Sequence, residues 1–128
     1  MPLTYSSHTL VRWLAVVVWA ALIFWLSAQP DLTTGFPGIW ETIARKLAHV
    51  TEYAVLAWLL SNALVRHGRA VVPIATMAII LTVLYAITDE VHQLFVPGRV
   101  GSPVDLLYDS AGALLGALIR AAYRRDIT

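Results

Sequence analysis

Residues 71–88 read VVPIATMAIILTVLYAIT, eighteen positions without one charged side chain, and this stretch decides the fold class. A hydrocarbon core about 30 Å thick is crossed by about 20 predominantly apolar helical residues. The stretch nearly has that length, and its Pro73 falls in the first turn, where a missing amide donor costs little. Three further stretches approach the same length: Leu10 to Ala28, Lys46 to Val65 and Val104 to Tyr123. The 128 residues are 59% hydrophobic and 13% charged, with a mean hydropathy of +0.70. A soluble domain this small keeps too much of its surface in water to hide so many apolar side chains. The expected fold is therefore all-α, an integral membrane four-helix bundle forming one domain over residues 1–128.

The connections set the boundaries. Arg12 lies close enough to the start of the first span to snorkel, and Gln29-Pro30-Asp31 stops the helix. That span is expected to be uncleaved, because Trp25 or Leu26 stands where a signal peptide needs a small residue. Pro30, Gly35, Pro37 and Gly38 make the next segment an irregular loop. Ile39 to Arg45 holds no breaker, so the second helix begins near Ile39 and projects beyond the hydrocarbon before entering it at Lys46. Arg66-His67-Gly68-Arg69 forms a tight connection; the third helix continues past Thr88 to about Phe95, ahead of Pro97-Gly98; and Pro103 suits the first turn of the fourth.

Four spans put both termini and the connection at 66–69 on one side. Arg12, Arg66, Arg69, Arg120, Arg124 and Arg125 fall there, against Arg45, Lys46 and Arg99 opposite, so the positive-inside rule makes the termini cytoplasmic. Asp31, Glu41, Glu52, Asp89, Glu90, Asp105 and Asp109 lie on the extracytoplasmic side, leaving only Asp126 inside. The absence of cysteine excludes disulfides, thiolate metal sites and a cysteine nucleophile. A net charge of +1 with no basic run excludes nucleic acid as a partner. Trp13, Trp19, Trp25, Trp40 and Trp58 are read as interface anchors or lipid-facing bulk.

Lys46, His49 and Tyr53 recur on one helical face with Glu52 beside them. At about 1.5 Å per residue, Glu52 lies roughly 9 Å further along the axis than Lys46. The third helix ends Thr88-Asp89-Glu90-Val91-His92-Gln93, with Asp89 expected to face His92 and Gln93; the fourth opens with Asp105 and Asp109, followed down the same face by Gly112 and Gly116. Three helices thus bring ionisable groups to one depth. An ionised group in lipid costs a few kcal/mol or more, so such residues face a bundle interior or aqueous cavity and mark function. The structural alternative is an ion-pair network of Lys46, Glu52, Asp89 and Asp105 that only fixes helix register. His8 and His67 are read as ordinary interfacial polar residues, and Gly112-x-x-x-Gly116 as a close-packing surface, with a homo-oligomer contact as the alternative.

Lys46-x-x-His49-x-x-Glu52-Tyr53, Thr88-Asp89-Glu90-x-His92-Gln93 before Pro97-Gly98-Arg99, and Asp105-x-x-x-Asp109-x-x-Gly112-x-x-x-Gly116 together resemble the VanZ family, as does Leu26-Ser27-x-Gln29-Pro30 at the end of the first span. The resemblance runs from about residue 26 to residue 116. It implies a multi-pass protein of the bacterial plasma membrane, in a family named for a protein associated with reduced susceptibility to teicoplanin.

Two functional classes follow. In the first, the protein processes a lipid-linked phosphate: Lys46 and Arg99 hold the anion, with Tyr53, Gln93 and Asp109 as further substrate contacts. His49 or His92 then acts as nucleophile or general acid/base, with Glu52, Asp89 or Asp105 fixing its tautomer. The arrangement is similar in kind to membrane lipid-phosphate phosphatases, by analogy alone. No metal centre or other cofactor is assigned, the His and acid residues being dispersed; a metal variant takes His49, Glu52, His92 and one of Asp105 or Asp109, types suited to Zn, Mn or Fe. In the second class the protein binds membrane lipids, a lipid-linked envelope precursor or a lipoglycopeptide without catalysis. A proton-coupled transporter has suitable carboxylates but lacks a broken-helix pair or inverted repeat.

Overall fold

The structure, a computed structural model, describes residues 5–30, 33–65 and 70–125, with side chains for residues 7–30, 33–65 and 70–123. Asp31, Arg66, His67, Gly68, Arg69 and Asp126, and the side chains of Arg124 and Arg125, lie outside the described residues. Four helices carry the described chain, with no strand among them: α1 (Tyr5–Ser27), α2 (Ile39–Leu64), α3 (Val71–Gln93) and α4 (Pro103–Arg125).

Each boundary has a local cause. At the end of α1, Gln29 Nε2 donates to the Trp25 carbonyl at 3.0 Å, occupying an acceptor that the helix leaves open before Pro30. α2 starts at Ile39, after Gly38 in a left-handed conformation at φ 57°. α3 ends at Gln93, two residues before Phe95. Leu94, Phe95 and Val96 donate instead to the carbonyls of Val91, His92 and Gln93, at 3.2, 3.0 and 3.2 Å. Pro97 disfavours the α conformation at Val96 and so tightens this last turn. Pro103 opens α4, where its missing amide is one that the first turn would leave unpaired.

α2 is the hub. It packs most extensively on α4, and also on α3 and α1, whereas α1 touches α3 only slightly and makes no contact with α4 among the described residues. Matched pairs fix the α2–α4 register: Lys46 with Asp105, His49 with Asp109, and Asn62 with Arg120. Partner numbers rise together, so the two helices run parallel. At about 1.5 Å per residue the matched seam from Lys46 to Asn62 is roughly 24 Å long. Between its ends, a methyl group at Gly112 would overlap the Val50 carbonyl oxygen, and one at Gly116 that of Ala54. The glycines let the backbones meet, and Ala57, Ala113 and Ala117, all 0% exposed, extend the seam.

The opposite faces are apolar and open. Val17, Val18 and Trp25 on α1, Ile80, Leu84 and Ile87 on α3, and Leu114, Leu118 and Ile119 on α4 are exposed, a larger apolar surface than a soluble monomer ordinarily presents. Among the described residues, two helices, Ser7–Ser27 and Val71–Gln93, are long and apolar enough to cross a membrane. α2 and α4 fall short by composition because they carry the ionisable groups of the interior. Trp19 departs from the reading as an anchor: it is half-buried, and its Nε1 donates to the Glu52 carbonyl at 2.9 Å, tying α1 to α2.

Overpacking typically costs about 1–3 kcal/mol and occasionally more. Gly116→Ala is expected to lower the melting temperature in detergent through a loss of that size, whereas Leu115→Ala, on the exposed face, leaves it nearly unchanged. Equal melting of both variants would contradict the close α2–α4 contact.

Candidate functional site

The ionisable groups gather at the end of the bundle where α2 and α4 begin and α3 finishes. They border a cavity of about 510 Å³. α2 supplies Glu41, Arg45, Lys46, His49 and Glu52 to its wall; α3 supplies Asp89 and Gln93; α4 supplies Asp105. Ser27 and Pro30 close the α1 side, and Gly98 and Arg99 close the loop side. That loop is held at both ends. Gly98, at φ 81°, leaves room for only 3.2 Å between a would-be Cβ and the Pro30 carbonyl oxygen. The Ser102 amide donates to Glu90 Oε2 at 2.8 Å.

Several charges are already paired. Lys46 Nζ bonds Asp105 and lies 5.1 Å from the centre of the Tyr108 ring. His49 Nδ1 is 2.8 Å from Asp109 Oδ1, and Asp109 is fully buried. If Nδ1 carries the proton, the carboxylate fixes that tautomer and leaves Nε2 free to accept. Tyr53, also fully buried, donates its hydroxyl to Asp89 Oδ2 at 2.8 Å, and Gln93 Nε2 donates to the same oxygen at 3.3 Å. Tyr85 ties α3 to α1 by donating to the Ala20 carbonyl at 2.6 Å.

Others are uncommitted. Among the described residues Arg99 makes no ion pair, and its buried Nε has no hydrogen-bond partner. The Glu52 carboxylate borders the same cavity, where it feels the charges of His49 and Arg99 without being held in a close ion pair with either among those residues. Asp89 Oδ1 and Ser27 Oγ are buried without partners. A guanidinium with an open donor and a carboxylate within electrostatic reach of it and of His49 thus share one cavity wall. This is the equipment to hold an anion and move a proton beside it.

Several placements differ from the sequence pattern. Tyr53 and Asp109, expected as substrate contacts, are 0% exposed and do not border the cavity; their polar atoms are turned to Asp89 and His49 instead. His92 does not join the cavity: its ring stacks on Phe24 of α1, with centroids 4.3 Å apart and planes at 15°, and its buried Nδ1 has no partner. Asp89 bonds Tyr53 and Gln93 rather than facing His92, because its side chain turns toward α2 while that of His92 turns toward α1. Glu90, to which the spacing gave no role, stands beside His49 and Asp109, with one ligand-capable atom of each residue within 4.8 Å of the others. Its place one residue after Asp89 rotates it by about 100° around α3. That offset was the available signal.

At the mouth, outside the segment that begins at Lys46, Glu41 accepts the Thr34 hydroxyl, the Thr34 amide (3.0 Å to Oε2) and the Arg45 Nε (2.8 Å). The Thr34 hydroxyl first, then Arg45 and the Thr34 amide, hold its pKa at about 2 against an ordinary 4.5. The folded value lies below the unfolded one, so this contribution is complete above pH 4.5 and is lost as pH falls toward about 2. The protection factor of the Thr34 amide, its exchange rate divided into the intrinsic rate at the same pH, is expected to fall over that window, and Glu41→Gln to remove the pH step; a step that persists in Glu41→Gln would assign it to another group.

No curated protein and no solved structure matches the chain. The model of the VanZ/LLP1 family matches residues 9–124. The family and the two long apolar helices together suggest a membrane protein. The chain belongs to the VanZ/LLP1 family.

Proposed function

We propose that the chain is a single-domain, four-span protein of the bacterial plasma membrane. Its termini are cytoplasmic, and its cavity opens at the outer leaflet to bind and process the phosphate headgroup of a lipid-linked envelope precursor. Alternating helix direction supports the topology: the polar cavity stands at one end, while Arg12 (3.4 Å to the Asn62 carbonyl), Asn62 and Arg120 gather at the other. The loop charges agree with that orientation.

The observation that carries the headgroup reading is Arg99, a cavity-lining guanidinium with a buried, unpartnered Nε and no ion pair among the described residues, Glu52 acting on it only through space. Phosphate meets the fork of donors that Arg presents. Lys46, held by Asp105, adds positive charge nearby, and Glu52 is the free base that takes a proton from the attacking water. Hydrolysis breaks the phosphate ester bond, water supplying its oxygen to phosphorus and a proton to the leaving alcohol. A changed precursor pool at the outer leaflet is the route by which the protein would alter teicoplanin susceptibility. The second reading, a binder without turnover, is favoured by the pairs already closed at Lys46–Asp105, His49–Asp109 and Tyr53–Asp89, which stabilise a cavity without an evident nucleophile.

Protein reconstituted in nanodiscs is expected to bind a prenyl phosphate and release inorganic phosphate from it. Losing hydrogen bonds to a charged group costs about 1.5–3 kcal/mol, so Arg99→Gln should weaken binding by roughly ten- to hundredfold, and Glu52→Gln should stop release while sparing binding. Binding without release selects the second reading; no binding across a panel of lipid phosphates would sink both.

A further inference from the structure

We propose that His49, Glu90 and Asp109 form a binding site for a divalent transition-metal ion such as Zn²⁺, held between α2, α3 and α4. One ligand-capable atom from each residue lies within 4.8 Å of the other two. Ligands of zinc stand about 2.0–2.2 Å from the ion, so small side-chain movements bring the three onto one centre.

A second observation points to the ligand. Asp109 is fully buried, and its Oδ2 has no hydrogen-bond partner. Glu90 Oε1 is likewise buried and unpartnered. Each carboxylate spends its other oxygen inside the protein, Asp109 Oδ1 on His49 at 2.8 Å and Glu90 Oε2 on the Ser102 amide at 2.8 Å. Two orphaned carboxylate oxygens beside one imidazole are costly in a packed interior, and a cation removes that cost. Charge balance argues the same way. The carboxylates Glu52, Asp89, Glu90, Asp105 and Asp109 outnumber Lys46 and Arg99, and the environment is helix interior rather than water.

Imidazole with carboxylates suits Zn, Mn or Fe. The set differs from the one suggested by spacing alone: His92 stacks on α1, and Glu52 remains in the cavity. Three protein ligands leave a coordination position open, as in catalytic zinc sites. His49 alone of the three borders the cavity, so an ion held here would lie behind that wall, where it would polarise a phosphoryl oxygen or acidify a bound water. The inference goes beyond the headgroup reading and is measured without lipid, so either can fail alone.

The test uses the full chain in detergent, stripped with a chelator, equilibrated with Zn²⁺ and passed through a desalting column before elemental analysis. Wild type should retain about one zinc per chain and melt at a higher temperature with the ion, because binding to the folded state stabilises it. His49→Ala and Glu90→Gln should lose the zinc, and Glu52→Gln should keep it. Glu90→Gln retains an acceptor for the Ser102 amide, so its elution as a folded species separates loss of the ligand from loss of the fold. Zinc absent from folded wild type, or kept equally by folded Glu90→Gln and wild type, overturns the proposal.

Discussion

The backbone contact between α2 and α4 is the constraint on which the rest depends. Gly112 and Gly116 lie directly on the carbonyls of Val50 and Ala54, where any side chain would overlap them. Close approach fixes the register, and the register sets His49 over Asp109 and Lys46 over Asp105. Sliding one helix by a residue would separate both pairs. The polar end of the seam therefore exists because the apolar part fits, and Asn62 with Arg120 closes the other end in the same register.

Placing charge inside a helix bundle is expensive, and the structure meets the expense by pairing. Breaking a buried pair by removing one partner costs about 3–5 kcal/mol, while a well-packed apolar replacement is often neutral. Pairing therefore does not by itself explain why such residues occupy these positions. The more informative groups are those left over: Arg99 and Glu52 at the cavity, and the orphaned oxygens of Asp109 and Glu90 behind it. A network serving only helix register has no need of these. They are the groups that a ligand would satisfy.

Much of the helical layout was legible in the sequence. Pro30 ends α1, the breaker-free run from Ile39 starts α2, and Pro103 opens α4. The four-residue spacing of Asp105 and Asp109 places both toward α2, where each meets a partner. Other features depend on relations between helices that no single segment encodes. Periodicity gives a face for Asp89 and for His92 but not which neighbour each face meets: the pattern sets His92 among the carboxylates, whereas Phe24 takes its ring. Glu90 has no partner within its own segment, and it stands beside His49 and Asp109 only where α3 meets α2 and α4. Trp19 reads as bulk until its indole N–H is seen to reach the Glu52 carbonyl.

The proposed function requires the cavity to face the outer leaflet, so that Arg99, Glu52 and His49 would meet the headgroups of lipid-linked envelope precursors. The chain contains no cysteine, so single cysteines report position without background. The most direct measurement is labelling of intact cells with a membrane-impermeant maleimide, comparing Thr34→Cys at the cavity mouth with Ala70→Cys before α3. With the cavity at the outer leaflet, Thr34→Cys is labelled in intact cells and Ala70→Cys only after the membrane is opened. The reverse pattern would place the cavity on the cytoplasmic side and contradict the proposed function.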